Sequence, residues 1–297
     1  MSVAQLRNAV SEAFDRRDYA TCVRLLDDFL ASAAGAERAH ALRIKSSVLA
    51  CDPRRAPEGL ALVDEALGLV DGNPDLTAGC LTNALVLCWT MGDVHKAGQY
   101  EAQVHHLLQN HPENAGVKAQ QLRIYGNLGL LANLRGQHAA AYWHFVRAIA
   151  CAQSSGQTAT EMRPFLFALY LYLAETCILM GRGPEATEAL EKARPLADTE
   201  GDLLRWTIQQ AYLLRHRHNY QEALALLDGV SFSEPALLPE DQTRFHLIRG
   251  LVAQDRGDLR SFHHHLSIAQ RLAVEHALEF LLCEVQRAQR APLRTTL

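Results

Sequence analysis

The chain has 297 residues, 48% of them apolar and 21% charged, with a formal net charge of −4. That is enough apolar material for an extended core, and the acidic balance excludes a broad nucleic-acid footprint. Gly (18) and Pro (10) are sparse, and Ala, Leu, Glu, Gln and Arg dominate the segments between them, so helices are expected and strands are not.

In chain order, the start Met1 to Arg7 lacks the charged-then-apolar layout of a signal peptide. A first helical hairpin opens near Val3 with Leu6, Tyr19, Cys22, Leu26 and Phe29 in register, and a second, degenerate one near His40 turns at Asp52-Pro53. Asp71-Gly72-Asn73-Pro74 reads as a loop, followed by a third hairpin from about Ala78 with Leu81, Leu85, Gly92, Ala97 and Val104. After His111-Pro112 comes the clearest unit, from about Leu122: Tyr125, Leu128-Gly129, Gly136, Ala141, Phe145 and Ala148. Thr158-Ala159-Thr160-Glu161 is a capping box opening a long helix up to about Met180. The fifth hairpin, from about Phe167, repeats the pattern as Tyr170, Leu173-Ala174, Gly181, Ala186, Leu190 and Ala193, with Gly183-Pro184 offering proline to its second helix. The longest apolar run, Pro164 to Ala174, is too short to cross a bilayer, and no membrane association is expected.

A sixth hairpin from about Leu204 carries Ala211, Tyr220, Ala223 and Leu227. Leu238-Pro239-Glu240 reads as a loop before the seventh, from about Thr243, with Gly250, Gly257, Phe262, Leu266 and Ala269. Beyond it Val274, Leu278, Leu281, Leu282 and Val285 make one apolar stripe, as expected of a helix closing the exposed end of an array. Phe280 and Cys283 lie off that stripe, so a contact between two copies through this helix is the alternative use. No linker interrupts the array, which is expected to form a single solenoid over residues 1–290. The tail from Ala291 to Leu297 is expected to be disordered.

Recurrence of one pattern at intervals of 37 to 45 residues is the signature of a solenoid. These hairpins resemble the tetratricopeptide repeat (TPR) family, most closely from Leu122 to Ser155. The resemblance implies an all-α, right-handed superhelix of about seven hairpins plus the closing helix. Its first helices would line a concave groove that holds peptides, partner proteins or small ligands. Every interval exceeds the family's usual 34 residues. In this the chain looks like the superhelical sensor arrays of bacterial regulators, yet it shows neither a GxxxxGK[ST] loop nor a basic recognition module.

If the first helices line a groove, their inward residues can be named. They are Lys45; Asn83, Val86 and Trp89; Arg123, Asn127 and Asn133; Leu171, Tyr172 and Glu175; Arg205, Gln209, Tyr212 and Arg215; and Arg244. Of these, Asn83, Trp89, Arg123, Asn127, Arg205, Tyr212 and Arg215 form the candidate binding set. Asn can pair with a peptide N–H and C=O, Arg holds carboxylates in a bidentate grip, and the aromatics supply walls. An acidic or carboxylate-bearing segment is the expected occupant.

Fourteen His residues do not make a metal site: His263-His264-His265 point about 100° apart on a helix, and His105-His106 share that fault. Seven Cys with no CxxC pair suggest free thiols and a reducing, cytoplasmic home. No HExxH, GxSxG or phosphate loop announces an enzyme, and no cofactor is expected. A peptide- or protein-binding scaffold is the leading reading. A ligand-responsive regulatory module without its own DNA-binding domain is the alternative.

Overall fold

The computed structural model describes residues 2–70, 72–156, 158–230 and 238–290. Among them are fifteen α-helices and no strand. They run α1 (Val3–Asp15), α2 (Tyr19–Leu30), α3 (Gly35–Leu49), α4 (Ala56–Leu67), α5 (Pro74–Thr90), α6 (Val94–Asn110), α7 (Ala115–Leu134), α8 (His138–Ser154), α9 (Ala159–Leu179), α10 (Gly183–Ala193), α11 (Glu200–His216), α12 (Tyr220–Asp228), α13 (Pro239–Asp255), α14 (Leu259–Glu275) and α15 (Glu279–Arg290). Taken in pairs these are seven helical hairpins and a closing helix. The expected tail from Ala291, and the expected loop residue Asp71, lie outside the described residues.

The turn position explains the periodic glycines. Gly92, Gly136, Gly181 and Gly257 all adopt positive φ between the helices of a hairpin, where a Cβ would be strained. In the first and sixth hairpins Arg17 and His218 occupy the same left-handed conformation, so the pattern is weaker there without a change of geometry. The small residues of the pattern sit at the closest helix contacts: Ala97, Ala141, Ala186, Ala223 and Ala269 are all fully buried. Ala186→Leu is therefore expected to overpack the α9–α10 contact and cost about 1–3 kcal/mol in urea unfolding, with far-ultraviolet circular dichroism unchanged. Unaltered stability would mean that this contact is loose.

The Thr158–Glu161 capping box forms as expected and opens α9. This helix is 21 residues long, and the stretch Thr160–Leu179 is apolar enough to cross a membrane by length and composition. Half of that stretch is buried against protein, with α9 packed on α8 and α10, as a core helix of an array must be. The uninterrupted apolar run from Pro164 to Ala174 covers only the middle of this stretch.

Two expected boundaries move. Pro74 and Pro239 are not loop residues but the first residues of α5 and α13, where a missing N–H costs nothing. At the other end, Ala277 (φ 53°) separates α14 from α15, so the apolar stripe cannot run straight through it. Val274 ends up 61% exposed, while Phe280, Leu281, Val285 and Ala288 are the buried face of α15 on α13 and α14. Burial of Phe280 removes it from any contact between copies through this helix.

The chain divides into two compact units, residues 1–131 and 132–297, with the division falling inside α7, where no linker composition marks it. In the first unit the core gathers around Leu42, Leu60, Leu81, Leu85, Cys88 and Val104, with a second cluster around Leu6, Cys22 and Leu26. In the second unit Leu204, Ile208, Ala211, Phe245 and Val252 bind α11 to α13, and Phe262, Leu266 and Val285 bind α14 to α15.

Candidate functional site

Within the second unit, α9, α11 and α13 stand side by side, and their register brings inward residues of all three to one cleft. It is lined by Phe167, Leu171 and Tyr172 from α9, Arg205, Ile208 and Gln209 from α11, and Glu240, Asp241 and Arg244 from α13, around a cavity of about 70 Å³. Helical spacing accounts for much of the set: Phe167 and Leu171 are four apart, with Glu175 one turn further on, and so are Arg205 and Gln209, and Glu240 and Arg244.

The polar groups of the cleft are tied to one another. Arg205 Nε donates to Asp241 Oδ1 at 2.8 Å. Deeper, the Arg244 guanidinium sits between Glu175 (3.4 Å) and Glu240 (3.5 Å). Gln209 Nε2 donates to Glu175 Oε2 at 3.2 Å. Glu284, on α15, lies within electrostatic range of the same guanidinium and makes no hydrogen bond or ion pair among the described residues. Burial, reinforced by the neighbouring Glu175 and Glu240, outweighs Arg244 and Arg287 and pushes its carboxyl up to about 7. Burial likewise raises Glu240. Arg244 is raised as well, but with the opposite consequence for charge: burial opposes its ionised form, and Glu175, Glu284 and Glu240 outweigh burial and hold it protonated. Burial also raises the phenols of Tyr172 and Tyr212, so both stay neutral donors.

The expected residues are distributed as follows. Tyr172, Glu175, Arg205, Gln209 and Arg244 do converge. Tyr212 lies beside them, with Arg215 6.0 Å from its ring centre. Arg205 and Arg215 are not open cations, however. Each already has a buried carboxylate partner, Asp241 and Asp255, the latter at 2.7 Å. The expectation that they would pair with a ligand's negative charge meets that internal competition.

In the first unit, Asn83 Nδ2 is shared among Arg43 O, Ser46 Oγ and Ser47 Oγ, all at 2.8 Å, and Asn127 Nδ2 donates to Thr82 O at 3.4 Å. These equivalent asparagines tie α5 back to α3 and α7 back to α5, while Asn133 Nδ2 donates forward to Thr176 Oγ1 on α9. Trp89 is half-buried against the core. Arg123 is exposed and stands near Arg43, whose guanidinium is pushed down by burial and by Arg7 and Arg123. Gly79 makes room for it: a Cβ there would lie 2.7 Å from Arg43 Cδ.

Sequence reading missed Glu240, Asp241, Glu284 and Arg43. Pro239 at the first position of a helix was the available signal for Glu240 and Asp241, and the degenerate second hairpin hid Arg43.

No family model matches the chain, and no curated protein matches it in sequence. Solved structures do. A tetratricopeptide repeat protein from Parabacteroides merdae superposes with a TM-score of 0.60 at 16% identity, over 96% of this chain and 98% of that one. RapI in its apo form gives 0.63 at 11% identity, over 97% and 98%. The protein phAimR gives 0.50 at 13% identity, over 97% of this chain and 78% of that one. The likeness is one of fold: an all-α, TPR-like array of helical hairpins.

Proposed function

We propose that this protein is a non-enzymatic scaffold that receives a peptide or protein segment on the first-helix face of its hairpins, gripping it at the α9–α11–α13 cleft. The observation that carries this reading is the lining of that cleft. An apolar wall of Phe167, Leu171 and Ile208 faces a row of polar groups held rigidly by one another, all drawn from successive first helices. Binding sites pair a mostly apolar surface with a few fixed polar groups in this way. The TPR-like fold supports the same reading, since an array of this kind offers a long face and no motif for chemistry.

A cavity of about 70 Å³ is far below the roughly 300–1,000 Å³ of a small-molecule pocket. It suits one group of a longer segment better than a whole effector, and so favours the scaffold over the effector-responsive module. Burial of Cys22, Cys80, Cys88 and Cys177 as small hydrophobes, the Cys80 thiol pushed up to about 11, suits a reducing compartment such as the cytoplasm.

The test is selection of displayed random dodecapeptides on the purified protein, followed by measurement on Ala168→Trp, which fills the cleft from its wall. Selected peptides should bind the variant at least tenfold more weakly while its melting curve stays close to the parent's. Binders that ignore Ala168→Trp but are lost on Trp143→Ala would move the function to α8, where Trp143 is 65% exposed. Failure to select any binder would remove the scaffold reading.

A further inference from the structure

Two independent features of the cleft concern the chemistry of its occupant. The first is an acceptor without a donor. Gln209 is only 8% exposed, and its Oε1 is buried with no hydrogen-bond partner. The amide orientation is not arbitrary: Nε2 faces Glu175 Oε2 at 3.2 Å, and turning the amide over would set oxygen against carboxylate oxygen. Oε1 is therefore fixed on the other side, in a residue that lines the cavity. Leaving such a group unsatisfied costs roughly 1–3 kcal/mol, so the site is built for an N–H or O–H donor.

The second feature is charge. Arg205 and Asp241 neutralise each other at 2.8 Å. That leaves Glu175 and Glu240 sharing the guanidinium of Arg244, with Glu284 of a third helix within electrostatic range of it. Both ion pairs of Arg244 are long, at 3.4 and 3.5 Å, as expected of one cation divided between acids. Arg287 also faces Glu284, but it is exposed, where solvent screens it. The cleft thus has more carboxyl groups than guanidinium groups to pair with them, and an unfilled acceptor, in a cavity larger than the roughly 10–15 Å³ that one water needs.

We infer that the cleft of the second unit recognises a cationic N–H donor, an ammonium or guanidinium group carried by the bound segment, with Gln209 Oε1 accepting from it and Glu175 and Glu284 balancing its charge. This rests on the scaffold reading above and reverses the acidic occupant expected from the arginines of the first helices. The phenyl and phenol walls of Phe167 and Tyr172 suit such a group, because an aromatic face attracts a cation.

The experiment uses peptides from the same selection, synthesised in three forms: as selected, with the N-terminus acetylated, and with each Arg or Lys replaced by citrulline or norleucine. Loss of at least tenfold in affinity on acetylation identifies the α-ammonium as the cation, and the same loss on citrulline or norleucine identifies a side chain. Either supports the inference, provided that Glu175→Gln and Glu284→Gln each weaken the same peptide at least fivefold. Gln209→Leu, which removes the acceptor and keeps the bulk, should weaken it comparably. Peptides that need the open cleft, being lost on Ala168→Trp, yet tolerate both neutralisations would overturn the cation and leave the scaffold standing. An acidic consensus strengthened by Glu284→Gln would also overturn it. Because Glu284→Gln removes a half-buried charge, that variant is expected to fold, and its melting curve checks this.

Discussion

Arg244→Met is expected to lower stability by about 3–5 kcal/mol at pH 8, the largest loss expected of any single change at the cleft. Arg244 is the cation common to Glu175, Glu240 and Glu284, and methionine would fill its volume without its charge. Removing one member of a buried ionic cluster leaves the others uncompensated, which costs far more than the pair itself contributes. The guanidinium also stands 5.8 Å from the ring centre of Phe280, so its loss loosens the seat of α15. The effect should depend on pH with a definite sign. Glu284 has a folded pKa of about 7, above its ordinary 4.5, so its ionised form destabilises the fold increasingly as pH rises through 7. Below that the carboxyl is neutral and needs Arg244 less. Urea unfolding of parent and variant should thus show a difference that is large at pH 8 and clearly smaller at pH 5.5. Adding Glu284→Gln to Arg244→Met should recover part of the loss at pH 8 and little at pH 5.5. A difference that does not change with pH would mean that Arg244 acts by packing alone.

The hairpins were legible in the sequence because their signal is local. A turn at positive φ calls for glycine at Gly92, Gly136, Gly181 and Gly257, and close helix contacts call for alanine at Ala141 and Ala186. The first-helix register was legible for the same reason: it marks Tyr172, Glu175, Arg205, Gln209 and Arg244 as inward-facing, though not that they meet in one cleft. The polarity of that cleft was not legible. Arg205 looks like an open cation until Asp241 arrives from α13, and Arg215 until Asp255 does, 36 and 40 residues further on. Ion pairing between successive hairpins leaves no local spacing signature. Asn83 shows the same limit: its residue type suits a peptide backbone, and it is used to tie α5 to α3. Glu284 was hidden by the break at Ala277, which shifts the phase of the last helix.

The acid side of the stability profile should be governed by a pair of histidines that no spacing argument singles out. Gly250 lets α14 approach α13 so closely that a Cβ there would lie 2.5 Å from Leu266 Cδ1 and 3.4 Å from His265 Cβ. One turn earlier on α13, His246 stacks on His265 with ring centres 5.3 Å apart and the two Nδ1 atoms at 3.0 Å. That contact is a hydrogen bond only if one Nδ1 carries a proton and the other does not. Burial, then the facing His265, Arg249, His264 and Arg271, lowers His246 to about 4. Burial with Arg249 and His264 does the same to His265, against the opposing pull of Asp228 and Asp258. A folded pKa below the unfolded 6.5 means that the stabilisation is complete above pH 6.5 and is lost as pH falls toward 4. The pair should therefore contribute a loss on the order of 2–4 kcal/mol between pH 7 and pH 4. Glu284 works in the opposite direction over much of this range, so the parent's profile alone does not isolate the histidines. The comparison with His265→Phe does, because phenylalanine keeps the stack on His246 and removes one titrating ring and the Nδ1 contact. The variant should be destabilised at pH 7.5 and should lose much less additional stability than the parent on acidification to pH 4.5, so that the two curves converge. Parallel curves across that range would show that the histidines titrate alike in the folded and unfolded chain.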